Sequence, residues 1–179
     1  MSACWVRVAA PERRSGVKGP RAAQLLAELG LDVPKRSNSW APLRAADRDD
    51  SDNVIARLGS SEFFIEEQGE APGIAALESR LAGGVNGAYP VLREDAALVL
   101  GGSRAADALA QVCNVELAAL DSAIKPIVMT LMIGVGVLVL PQPRDAGPVY
   151  RIWCDPSFGP YLLAELEEII QELPPGSHR

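Results

Sequence analysis

At 179 residues the chain is long enough to bury one sizeable core or two small ones, and 48% apolar with 22% charged residues is an ordinary globular composition, not that of a disordered or fibrous chain. The net charge of −6 is uneven: residues 1–50 hold nine Lys/Arg against six Asp/Glu, and residues 51–179 hold eight against seventeen. The acidic majority argues against nucleic acid as a partner, while the basic first segment is either a solvated face or a match for an acidic protein surface.

The first helix is predicted from Gly19 to Leu29, with Pro20 as a good first residue, Leu25, Leu26 and Leu29 on one face, and Gly30 as its stop. A long polar loop is expected from Pro34 to Asp52, carrying Arg36, Asn38, Trp40 and Arg44. Asn53–Leu58 reads as a strand that turns at Gly59-Ser60-Ser61 into a hairpin partner over Phe63–Glu66. The spacing of Ile74, Leu77 and Leu81 predicts a second helix over 72–82, ended by Gly83-Gly84. Ala96–Leu100 is the next strand, and Gly101-Gly102 leads into a third helix with Ser103 as its expected N-cap. A hairpin is favoured over 127–140, then a strand over 149–153 and a last helix over 158–173 that buries Leu162, Leu166 and Ile169 and exposes Glu165, Glu168 and Glu172.

One stretch of the chain occurs twice. Gly19-Pro20-Arg21-Ala22-Ala23-Gln24-Leu25-Leu26-Ala27-Glu28-Leu29 returns 83 residues later as Gly102-Ser103-Arg104-Ala105-Ala106-Asp107-Ala108-Leu109-Ala110-Gln111-Val112, with six of eleven positions identical. In each copy a helix is followed by a loop, a strand pair and another helix. The expected fold class is therefore α+β, two pseudo-repeated units with antiparallel sheets, one over residues 1–90 and one over residues 91–179.

Candidate chemistry is sparse. His178 is the single histidine and stands in a Pro/Gly/Ser tail, so it lacks the fixed geometry that acid–base catalysis needs. Cys4, Cys113 and Cys154 are odd in number and far apart, which fits neither a disulfide framework nor a zinc ribbon, and Cys113 reads as a small core residue. The acidic run Asp47–Asp52 lacks the glycine and the terminal carboxylate of a calcium loop. Gly101-Gly102 lacks the rest of a phosphate-binding fingerprint and reads as a tight strand-to-helix turn. Trp40 among Arg36 and Arg44 has the composition of a partner interface, with packing on its own domain as the other reading. The first residues lack the long apolar segment of a signal peptide, and the apolar run Ile127–Leu140 is too short to span a bilayer as a helix, so a cytoplasmic chain without a membrane partner is expected.

Several segments resemble one family. Gly19-Pro20, Ala22, Leu25-Leu26, Leu29-Gly30-Leu31, Pro34 and Asn38 resemble the opening of the gamma subunit of heterotetrameric sarcosine oxidase. Arg57-Leu58-Gly59-Ser60-Ser61-Glu62-Phe63-Phe64-Ile65 is similar to its R-L-G-x-x-E-W-L segment, with Phe63 for Trp. Leu98-x-Leu100-Gly101-Gly102, then Ala105, Leu109, Cys113 and Glu116-Leu117, is similar to its second-half signature, with Glu116 for Asp. The likeness spans about residues 15–173 and departs most at Ile133-Gly134-Val135-Gly136, which is apolar where the family has a polar turn.

That family is related to the aminomethyltransferase (T-protein) folate-binding superfamily. The resemblance implies a fold like the N-terminal part of that enzyme and a non-catalytic gamma-type subunit of a flavin-dependent complex that demethylates sarcosine or a related N-methyl amino acid. It implies larger alpha and beta flavoprotein subunits and a small delta subunit as partners. It places FAD, FMN, NAD, tetrahydrofolate and zinc in those partners and no cofactor or metal in this chain. The alternative is a free-standing folate-binding one-carbon-transfer module, in which a buried carboxylate should reach the pterin ring.

Overall fold

The computed structural model describes residues 3–10, 12–43, 52–145 and 147–173. In chain order the elements are β1 (Trp5–Val8), β2 (Arg13–Lys18), α1 (Ala22–Glu28), β3 (Ser39–Pro42), β4 (Val54–Arg57), β5 (Glu62–Glu67), α2 (Pro72–Ala82), β6 (Tyr89–Val91), β7 (Ala96–Gly101), α3 (Ala105–Val112), β8 (Val128–Met132), β9 (Val135–Gln142), β10 (Val149–Cys154) and α4 (Gly159–Glu172). The chain divides into two compact units, residues 10–94 and residues 95–179 together with 1–9.

Each unit is an α+β layer with one five-stranded antiparallel sheet, ordered β6-β2-β5-β4-β3 in the first and β1-β7-β10-β9-β8 in the second. The two orders coincide position by position. Strand β7 starts 83 residues after β2, the offset of the sequence repeat. The central ladders share one register: β2 pairs with β5 from Arg13↔Glu67 to Lys18↔Glu62, and β7 pairs with β10 from Ala96↔Cys154 to Gly101↔Val149. Both sheets cover one face with two helices. Val17, Leu25, Leu26, Ile55, Phe63, Ile65, Ile74 and Leu77 form the first core, and Leu98, Leu100, Leu109, Val137, Val139, Ile152, Leu162 and Leu166 form the second. A side chain of that size, fully buried, contributes on the order of 1.5–3 kcal/mol.

The repeated sequence builds one joint in both units. Gly19 and Gly102 follow the first strand of each repeat with φ of +121° and +113°, a region that glycine enters without a Cβ clash. A methyl group at either position would stand 2.5 Å from a backbone carbonyl oxygen, that of Gly87 or that of Ala3. The same two carbonyls accept the next free amide of the joint, from Arg21 at 2.8 Å and from Arg104 at 2.9 Å. The helix then begins in each case at an alanine with no exposed surface, Ala22 and Ala105. Leu26 and Leu109 occupy matching buried places one turn later. The carbonyl donor differs in its origin: Gly87 lies just before β6, whereas Ala3 lies just before the N-terminal strand β1.

That difference moves the boundary between units. The sequence places residues 1–90 in the first unit, but β1 pairs with β7, from Trp5↔Gly101 to Val8↔Leu98. It fills in the second sheet the edge that β6, the segment after α2, fills in the first. The N-terminal residues therefore belong with residues 95–179. Two smaller expectations also change. Ser103 does not cap α3: the N-cap is Arg104, and the Ser103 hydroxyl donates to the Ala3 carbonyl at 3.4 Å. The expected loop 34–52 contains a strand, β3, whose Trp40 pairs with Ala56. Pro42 is tolerated there because β3 is an edge strand.

Gly19→Ala and Gly102→Ala should each remove more than about 2 kcal/mol from the stability of the unit that holds it, read by urea titration. Gly30→Ala is the control: its φ is +77° but nothing lies within 4 Å, so about 1 kcal/mol is expected. Equal losses at all three positions would mean that the close approach to the carbonyl contributes nothing.

Candidate functional site

The surface that the sequence singles out is carried by β3 and the turn before it. Asn38 takes φ +55°, its amide donates to the Arg57 carbonyl at 2.8 Å, and the Ser39 hydroxyl donates to the Arg36 carbonyl at 2.7 Å. Arg57 holds this turn from the neighbouring strand. Its guanidinium donates to the carbonyls of Pro34 at 3.3 Å, Lys35 at 3.2 Å, Gly59 at 3.1 Å and Ser60 at 2.6 Å. It also stands 5.4 Å over the Phe63 ring. Five planar donors in a fixed fork can tie two separate turns together, which a lysine cannot do.

On this frame Arg36 is exposed and Trp40 is half-buried. Ala41 packs toward the first core, so Trp40 stands on the opposite face of β3, the face that α1 and α2 do not cover. Arg44 lies outside the described residues. The sequence reading missed Arg57 as the organiser. It ties the two turns through backbone carbonyls, which side-chain composition does not mark.

A second feature was not read from the sequence at all. A cleft of about 470 Å³ opens between the C-terminal half of α2 and β6, lined among others by Arg14, Glu78, Leu81, Val91, Leu92 and Arg93. Arg14 pairs with Glu66, whose side chain is 1% exposed, and Arg93 pairs with Glu62 at 2.7 Å while stacking 5.6 Å over the Phe64 ring. Glu78 pairs with Arg13 at 2.6 Å on the rim. The two most buried carboxylates, Glu66 and Glu67, do not line this cleft. The Glu67 carboxylate accepts the Gly73 and Ile74 amides at 3.2 and 2.8 Å and so caps α2. The cleft can hold apolar groups beside two arginines.

Among the described residues no group of three or more His, Cys, Asp or Glu side chains is placed to hold a metal ion. Cys4, Cys113 and Cys154 are buried thiols, and His178 lies outside the described residues. Burial pushes the Cys4 thiol up, and burial with help from Asp95 and Asp155 does the same for Cys154. Burial likewise raises the Tyr150 hydroxyl. These groups are therefore poor nucleophiles at neutral pH. No helix among the described residues is long and apolar enough to cross a membrane.

No protein-family model matches the chain, and no curated protein sequence does. The fold has relatives among solved structures. It is similar to a chain of the heterotetrameric sarcosine oxidase from Corynebacterium sp. U-96 in complex with pyrrole 2-carboxylate, with a TM-score of 0.75 and 19% identity over 99% of this chain and 89% of that one. It is also similar to the glycine cleavage system aminomethyltransferase T from Bartonella henselae, with a TM-score of 0.63 and 18% identity over 92% of this chain and 45% of that one. The chain thus spans less than half the length of that enzyme. At such identities the shared property is the fold: two antiparallel five-stranded sheets with helices, similar to the aminomethyltransferase fold.

Arg57→Ala and Arg57→Lys should both lower stability by about 2 kcal/mol and speed amide exchange at Asn38, because the carbonyls of two turns lose a charged donor. Full retention of exchange protection in Arg57→Lys would show that charge alone suffices. Thiol burial sets an alkaline limit. The neutral forms stabilise the fold below their unfolded pKa values, about 8.5 for Cys and about 10 for Tyr, and that contribution is lost as pH rises through the folded values. The urea midpoint should therefore stay level to about pH 8 and fall above it. Alkylation of the native thiols should be much slower than in urea, and equal rates would contradict their burial.

Proposed function

We propose that the chain is a non-catalytic gamma-type subunit of a heteromeric, flavin-dependent sarcosine oxidase-like complex. In this reading the complex oxidatively demethylates sarcosine or a related N-methyl amino acid. The observation that supports the reading is the mutual coverage with a sarcosine oxidase chain, 99% of this chain and 89% of that one. The segment resemblances across residues 15–173 support it independently. FAD, FMN, NAD, tetrahydrofolate and zinc are assigned to the larger alpha and beta subunits and the small delta subunit, and this chain contributes surface. Trp40, Arg36 and Arg44 are assigned to that surface. An aromatic side chain in a fixed frame, with Arg36 and Arg44 near it in the sequence, is a composition that concentrates binding energy, on the order of 2 kcal/mol or more per anchor. The arginines would govern encounter rate and register.

A free-standing folate-binding one-carbon module is the second reading, favoured by the likeness to aminomethyltransferase T. The engagement of Glu66 with Arg14 and of Glu67 with the start of α2 weighs against it, because a pterin ring needs a carboxylate turned toward the ligand.

The tagged chain, expressed in its native host, should co-purify with flavoproteins and with their flavin absorbance. Trp40→Ala should weaken that assembly at least tenfold while the free chain keeps its thermal midpoint. A free chain that is destabilised yet assembles normally would assign Trp40 to its own core. Failure of the unaltered chain to retain any flavoprotein would reject the subunit reading.

A further inference from the structure

The edge of the second sheet that receives β1 is built as a slot for an extended segment. The same position in the first unit is filled by β6, which follows α2 directly in the chain. In the second unit no contiguous segment among the described residues fills it, and the filling strand arrives from the opposite end of the polypeptide. β1 is thus the one element of its unit that is held by packing and hydrogen bonds and connected to its neighbours only through a different unit.

The fit of the slot is specific. Gly101 lies opposite Trp5, and a Cβ on Gly101 would run into the indole ring. The absence of a side chain there makes a notch for the aromatic group, and the Arg7 guanidinium covers that ring at 5.7 Å. Gly102 leaves room for the Ala3 carbonyl, which accepts the Arg104 amide at 2.9 Å. Cys4, 5% exposed, and Val6 alternate inward to the second core. At the far end the Ala9 amide donates to the Ala97 carbonyl at 2.8 Å. The antiparallel alternation then directs the Arg7 and Trp5 amides at β7 as well.

We propose that this edge is a strand-binding site, and that its occupant, the segment 3–9, is exchangeable: it can leave, and the same segment supplied in trans can take its place. The site selects an extended ligand with a small residue, an aromatic residue and a branched apolar residue in succession, as in Cys4-Trp5-Val6. In the intact chain the short connection through residues 10–12 keeps the strand at high effective concentration, so exchange is seen once that connection is cut.

The test uses the full chain with a specific protease site inserted within residues 10–12, folded first and cut afterwards. The cut segment should co-elute with the body. A fluorescent synthetic peptide of residues 1–10, added in excess, should displace it, with amide protection of β7 and β10 preserved throughout. The same peptide with Arg7→Pro lacks one ladder donor and should bind at least tenfold more weakly, a comparison that leaves the body unaltered. In a Gly101→Val body the unmodified peptide should fail to enter. Three results overturn the proposal: the cut segment leaves and added peptide does not bind in its place; the unit unfolds and added peptide does not restore it; or the cut segment stays and labelled peptide never exchanges. Equal binding of the Arg7→Pro peptide would also overturn it, by showing attachment outside the ladder.

Discussion

The contact on which both units depend is the approach of a backbone carbonyl to a glycine without a side chain, Gly87 to Gly19 and Ala3 to Gly102. It fixes three things together: where the first strand of the repeat ends, where the helix starts, and which strand lies at the sheet edge. The carbonyl satisfies an amide at the helix start that has no intrahelical partner. An alanine then follows, small enough for the helix to lie close on the sheet. The conserved geometry of this joint inside one chain explains why Gly, Arg and Ala are among the residues that the two copies share.

Elsewhere the copies have diverged in chemistry while keeping register. Arg14↔Glu66 in the first sheet corresponds to Ala97↔Trp153 in the second, each the second pair of its ladder. One unit solves the position with a buried ion pair and the other with an aromatic ring against a methyl group. The desolvation of a buried ion pair offsets most of its attraction, so an apolar pair can take its place without a large loss of stability. Such exchange marks a position under packing constraint. The same reasoning applies to Glu67, which caps a helix, and to Arg57, which ties turns. The charged residues that are best held in this chain are engaged in holding the chain itself.

Elements with periodic apolar patterns were legible in the sequence. α2 has the predicted bounds, α4 begins within a residue of its expected start, and the hairpin over β8 and β9 forms where Ile133 and Gly134 turn it. β1, β2, β3 and β6 were not read. β2 is Arg-Arg-Ser-Gly-Val-Lys, in which one apolar side chain reaches the core, and β6 is three residues long. Their strand character comes from ladder partners far away in sequence, which local pattern does not register. The return of β1 to the second sheet has the same cause. Of the candidate interface, the residue types at Trp40 and Arg36 were legible, and the frame that presents them was not, because Arg57 acts through backbone carbonyls that have no signature in side-chain composition.

The central proposal is that this chain serves as a surface for assembly and leaves the chemistry to its partners. The most direct measurement takes the isolated full-length chain, titrates it with tetrahydrofolate while following tryptophan fluorescence, and assays the same sample for oxidation of sarcosine. The account predicts no saturable folate binding, no co-purifying flavin and no turnover. Saturable binding of folate, or turnover by the isolated chain, would contradict it and favour the one-carbon-transfer reading.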